Sequence, residues 1–185
     1  MKSTLVRATV RPAFAVFVAL ALIGVAIVPG CSGMGRRAGP GESGSSQFAP
    51  GRTPLATFDS FTAAFAARDF AAIYDLTSAP AQERFQSALQ TMDASELAAA
   101  LDLQLADLQA LPARDAMARL TEAIVARSPE EFVRLTHAKR TQEPVVFGDE
   151  CVIQRRLPDG LEDEIRLVRD AARDVWLLDD SFFGE

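Results

Sequence analysis

The chain has 185 residues, 49% of them apolar and 24% charged, with a formal net charge of −6. From Thr53 onward it holds 24 acidic and 13 basic side chains, a net charge of −11. This argues against a surface that tracks nucleic-acid phosphates or lies on anionic lipid, both of which need clustered cations. No calcium-loop, phosphate-loop or nucleophile-elbow spacing occurs.

Lys2, Arg7 and Arg11 carry the only charges before Cys31, and Ala13 to Val28 is an apolar run between Pro12 and Pro29. Sixteen helical residues reach roughly 24 Å, short of the ~30 Å hydrocarbon core. A basic start, an apolar middle and a small-residue exit are the layout of a secretory signal over residues 1–30. The exit, Val28-Pro29-Gly30-Cys31, resembles the bacterial lipoprotein box. That resemblance implies cleavage before Cys31, a lipid on its thiol, and a place in the bacterial cell envelope. With Ser32 next, it implies the outer membrane, facing the periplasm. Two or three acyl chains hold such a protein stably, at about 0.8 kcal/mol per buried CH₂. The alternative is an uncleaved single-span anchor with an incidental cysteine.

Residues 31–52 follow as a Gly/Ser-rich tether that cannot bury enough surface to order itself. As a flexible coil it spans about 25 Å. Residues 53–185 are long enough for one domain with its own core.

The domain changes period once. Thr53-Pro54 signals a helix start, and Phe58, Phe61 and Phe65 form one stripe at helical spacing. Asp69 caps a short helix carrying Phe70, Ile73 and Leu76. After Ser78-Ala79-Pro80, Phe85, Ala88, Leu89 and Met92 share a face. Asp93 with Glu96 reads as a capping box opening one helix with Leu97, Leu101, Leu105 and Leu108. Pro112 restarts the chain, with Met117, Leu120, Ile124 and Val125 on one side. Ser128-Pro129 reads as the cleanest cap, ahead of Phe132, Val133 and Leu135.

Beyond Pro144 the pattern alternates. Residues 150–157 and 161–169 read as strands joined by Pro158-Asp159-Gly160. That loop pairs Leu157 with Leu161, Arg155 with Asp163, Ile153 with Ile165 and Cys151 with Leu167 on one face. The other face pairs Arg156 with Glu162 and Val152 with Arg166. A loop at 170–173 would pair Arg169 with Asp174, Val168 with Val175, Leu167 with Trp176 and Ile165 with Leu178. Both hairpins then present Cys151, Ile153, Ile165, Leu167, Trp176 and Leu178 on one apolar face. Val152, Val168, Val175 and Leu177 fall on the other. Either the Ser181-Phe182-Phe183 tail covers them or they form a homodimer surface. Cys151 reads as a small buried apolar residue rather than a reactive thiol.

The fold class is therefore α+β: N-terminal helices packed on a C-terminal antiparallel sheet. The run "FGDECVIQRRLPDGLEDEIRLVRDAARDVWLLDD" is similar to the end of a nuclear transport factor 2-like (cystatin-like, SnoaL-like) domain. "FTAAFAARDFAAIYDLTSAPAQERF" resembles the opening helices of that family. The likeness covers roughly 57–90 and 145–180, and the stretch 93–140 is more helical than the minimal family. The resemblance implies that the antiparallel sheet is curved and cone-like, wrapped on the helices, with an apolar mouth here lined by Phe61, Phe65, Tyr74, Ile153, Leu167 and Trp176.

Some members of that family are isomerases, cyclases or dehydratases, and others only bind or assemble. Catalysis would fall to a pocket carboxylate, Asp69 or Asp75. The lone His137 sits at a helix end, where a cation is favourable in its own right. No catalytic residue, metal or cofactor is assigned. The expected function is a non-enzymatic module binding a small apolar ligand or an envelope protein. The alternatives are a SnoaL-like enzyme or a structural part of an envelope complex.

Overall fold

The computed structural model describes residues 47–179. The leader, Cys31, most of the tether and the Ser181-Phe182-Phe183 tail lie outside the described residues. Among the described residues no helix is long and apolar enough to cross a membrane.

Helices come first and a sheet follows: α1 (Pro54–Ala66), α2 (Phe70–Asp75), α3 (Ala79–Thr91), α4 (Ala94–Leu101), α5 (Leu105–Gln109), α6 (Ala113–Arg127) and α7 (Pro129–Thr136). Then come β1 (Lys139–Arg140), β2 (Val145–Phe147), β3 (Glu150–Arg156), β4 (Glu162–Asp170) and β5 (Val175–Leu178). The architecture is α+β, with a curled antiparallel half-barrel at the C-terminal end.

Side-chain oxygens set four of the helix starts among the described residues, satisfying amide N–H groups that have no partner within the helix; at α4 the Asp93 carboxylate accepts from the Ser95 N–H at 2.7 Å. Thr53 accepts from the Ala56 N–H at 3.2 Å, Asp69 from Ala72 at 3.0 Å, and Ser78 from Ala81 at 3.3 Å. Ser128 does not cap in this way. It lies between α6 and α7, and its side chain makes no capping bond, so the shared residue serves both helix ends through its backbone alone. The expected leucine helix is also two helices. Asp102 takes a left-handed conformation (φ +56°), which ends α4 and lets Leu105 open α5. Ala88, expected on the buried face of α3, is exposed.

The hairpin β3–β4 has the expected register: Cys151 opposite Leu167, Ile153 opposite Ile165, Arg155 opposite Asp163 and Arg156 opposite Glu162. Leu161 departs from expectation. Its carbonyl accepts from the Leu157 N–H at 2.8 Å, yet its side chain is 60% exposed at the hairpin tip while Leu157 is buried. The hairpin β4–β5 is shifted by two residues, pairing Leu167 with Leu178, Val168 with Leu177, Arg169 with Trp176 and Asp170 with Val175. The turn begins one residue later than expected. The Asp170 carboxylate accepts from the Ala172 and Arg173 amides at 3.1 and 3.2 Å, and Asp174 closes the turn at φ +53°. A two-residue slip preserves parity, so the same side chains face inward. Cys151, Ile153, Ile165, Leu167, Trp176 and Leu178 are all buried in the core with α1, α2, α3 and α6.

β4 lies between β3 and β5, and β1 and β2 share the outer edge of β3. The two sheet edges differ. β5 is closed by irregular chain: Trp176 N–H donates to the Gly51 carbonyl, Leu178 N–H to Leu76, and Ser78 N–H back to Leu178, each at 2.8 Å. Thr57, fully buried, locks this edge. Its hydroxyl donates to the Trp176 carbonyl at 2.8 Å and accepts from the Gly51 N–H at 2.8 Å. Gly51 is required there, because a Cβ would sit 2.3 Å from that of Ala56. Among the described residues no strand pairs with the other edge of β1 and β2.

Candidate functional site

The six residues expected to line a cone mouth pack together in the core. Phe61, Phe65, Tyr74, Ile153, Leu167 and Trp176 are each no more than 9% exposed. Phe65 lies 5.9 Å from Phe61, 6.1 Å from Phe70 and 5.1 Å from Phe132, ring centre to ring centre. The Tyr74 ring stands edge-on to Phe85, and its hydroxyl accepts from Gln86 Nε2 at 3.2 Å. The polar end of Tyr74 is thus held by a neighbouring helix, as a core tyrosine requires.

The candidate acids have structural partners. Asp69 caps α2. Asp75 receives two hydrogen bonds from Arg114 Nε and one from its Nη2, at 2.9–3.0 Å, and this raises the Arg114 pKa. His137 is the C-cap of α7. Its Nδ1 lies 2.7 Å from the Val133 carbonyl, a contact that requires the proton on Nδ1. Cys151 is 1% exposed, and burial pushes its thiol pKa up, so the thiolate is disfavoured. Among the described residues no cluster of three His, Cys, Asp or Glu side chains converges as a metal site.

On the convex sheet face Val152, Val168 and Val175 are half-buried, while Leu177 is 3% exposed and so offers little surface to a second copy. The strongly exposed apolar residues lie elsewhere: Val145, Val146 and Phe147 on β2, Leu161 at the hairpin tip, and Val133 on α7. Val133, expected in the core with Phe132 and Leu135, is 53% exposed because α7 turns its Leu135 side inward.

Val133 opens onto a concavity at the surface. A groove of about 750 Å³ runs between the last turns of α7, strand β1 and the end of β3. Val133, Leu157 and Pro158 give it an apolar wall. Its rim is cationic, with Lys139 and Arg140 from β1, Arg156 from β3 and Arg134 from α7, and the His137 ring lies beside them. Glu130 is the acidic member of the lining.

The charges in this groove differ in availability. Arg134 is engaged by Glu131 and by Asp159 of the β3–β4 loop, and these bonds raise its pKa. Asp159 is held below the usual carboxylate range by the Leu161 N–H and then by Arg134. That bridge fastens α7 to the hairpin and shapes the groove floor. Arg156 meets Glu162 at 3.0 Å, both side chains being 58% exposed, and Arg140 reaches Glu143 only at 3.8 Å. Exposed pairs of this kind contribute about 0–1 kcal/mol and open readily.

The strand register sets like charges opposite one another, Lys139 across from Arg156 and Arg140 across from Arg155. Directly opposed like charges destabilise a sheet. Arg155 is the exception, since it points inward to Asp163, where the two side chains are 8% and 4% exposed. Sequence reasoning anticipated the Arg155–Asp163 and Arg156–Glu162 pairs but missed the groove. The available signal was two dibasic steps, Lys139-Arg140 just past the helix end at His137 and Arg155-Arg156 beyond the next turn. No family model, curated protein or solved structure matches this chain.

Proposed function

We propose that this chain is a lipid-anchored protein of a bacterial envelope, held through Cys31 at the outer membrane and facing the periplasm. Its folded domain, of nuclear transport factor 2-like descent, is a non-enzymatic binding module. The order of helices before a curled antiparallel sheet, with Trp176 on the last strand, supports the family reading. The observation that carries the module reading is the position of the open space. The interior is filled by the very side chains that would line a catalytic cone, and Asp69 and Asp75 are bound to a helix end and to Arg114. Recognition then falls to the surface groove beside α7 and β1.

The test combines fractionation with crosslinking in cells. Wild type should sediment with membranes, and its mature N-terminal peptide should carry acyl mass on Cys31. Cys31→Ser should be released. A photocrosslinking residue at Pro158, in the groove, should give a defined adduct that the same residue at Ala88, exposed on α3, does not give. Recovery of an intact, unmodified leader peptide would overturn the anchor. Equal or absent adducts at both positions would overturn the binding module.

A further inference from the structure

We propose that the groove receives an extended acidic segment of a partner protein, added as a strand along the open edge at Lys139–Thr141. This rests on the binding-module reading and names the chemistry of its partner. The groove concentrates Lys139, Arg140 and Arg156 on a domain whose net charge is −11. Against that net charge, these clustered cations attract an acidic chain. Arg156 already meets Glu162, whereas Lys139 across from it makes no ion pair among the described residues, so a carboxylate beside Lys139 offsets the like charge it faces.

Backbone chemistry selects a peptide over a simple anion. The β5 edge is closed by Gly51 and Leu76–Ser78, whereas among the described residues the β1 edge has no partner strand. The Thr141 N–H turns to the Gln154 carbonyl at 3.0 Å, so the outward N–H and C=O of this edge are those of Arg140, and an added strand hydrogen-bonds to both, which phosphate or a lipid headgroup cannot do. Side chains alternate along a strand, so acidic residues on one side meet Lys139 and Arg156 while apolar ones on the other reach Val133 and Pro158. An acidic segment with alternating apolar residues satisfies both walls.

The experiment measures fluorescence anisotropy of a labelled peptide of alternating glutamate and valine, titrated with the full chain in nonionic detergent. Saturable binding is expected below about 1 mM. Lys139→Glu should weaken it about tenfold and Arg156→Gln about threefold, while Arg119→Glu on α6 leaves it unchanged. Lys139, Arg156 and Arg119 are exposed, and circular dichroism confirms that each variant folds. Methylating alternate backbone nitrogens of the peptide should abolish binding, and inorganic phosphate at matched ionic strength should not displace it.

Insensitivity to Lys139→Glu, retained binding of the methylated peptide, or displacement by phosphate or by phosphatidylglycerol vesicles would each overturn the proposal. If the Pro158 adduct forms in cells but the peptide fails to bind, the acidic-strand inference falls and the module reading stands. If neither occurs, both fall.

Discussion

The Arg155–Asp163 pair offers the sharpest test of how this sheet is stabilised. The two residues face each other across β3 and β4 on the concave side, with side chains 8% and 4% exposed. Arg155 Nη2 donates to Asp163 Oδ2, while the buried Arg155 Nε has no hydrogen-bond partner. Desolvating both charges opposes their attraction, so the pair as a whole adds little to stability. Removing one partner strands the other charge at a cost of about 3–5 kcal/mol.

The two single variants should not be equal. Asp163→Leu leaves a buried guanidinium whose cross-strand neighbour is Arg140, another cation, and should fall at the upper end of that range. Arg155→Met removes the unpartnered Nε, which is itself worth about 1–3 kcal/mol, so it should fall at or below the lower end. The double variant should lie within about 1 kcal/mol of wild type, far from the sum of the singles. Urea unfolding followed by circular dichroism measures all four proteins, with a constant m-value as the check on two-state behaviour. Against a total stability of about 5–15 kcal/mol these differences are large. Additive losses in the double variant, or a costlier Arg155→Met, would refute the reasoning.

Thr57→Val should cost about 2–4 kcal/mol, because the isosteric methyl leaves the Trp176 carbonyl and the Gly51 N–H without their shared hydroxyl. Thr57→Ser should cost about 1 kcal/mol. Thermal unfolding decides between them, and equal melting temperatures for the two variants would show that the lock at the β5 edge is not polar. In a Cys31→Ser background Cys151 is the sole thiol. It should react with an aromatic disulfide reagent only at the rate of opening, and at least a hundredfold faster in denaturant, by about the measure of its burial and raised pKa. Prompt labelling of the native protein would contradict the packed inner face.

Much of the sheet was legible because strands have a period of two. The three-residue loop Pro158–Gly160 joins two strongly alternating segments, so the β3–β4 register and its buried face follow from local pattern. The β4–β5 register did not, although the same residues turned inward. Whether the turn starts at Asp170 or one residue earlier is a choice between two local hydrogen-bond patterns of similar composition, and the Asp170 carboxylate decides it. Likewise the caps at Thr53, Asp69 and Ser78 could be read from residue type, whereas the break at Asp102 and the outward turn of Val133 depend on what each helix packs against.

What the sequence by itself determined was one-dimensional: the change from helical to alternating period, the helix caps, and the set of side chains that share each sheet face. Those follow from bonded geometry and from nearest neighbours along the chain. The tertiary structure decided where empty space remained. It filled the expected cone with Phe61, Phe65, Tyr74 and Trp176, and it opened a groove where α7, β1 and the β3–β4 hairpin meet. A cavity is a property of how surfaces from distant segments fail to touch, and no local period encodes that failure. The charge in the groove was written in two dibasic steps, but only pairing β1 to β3 set Lys139 beside Arg156 and made them one site.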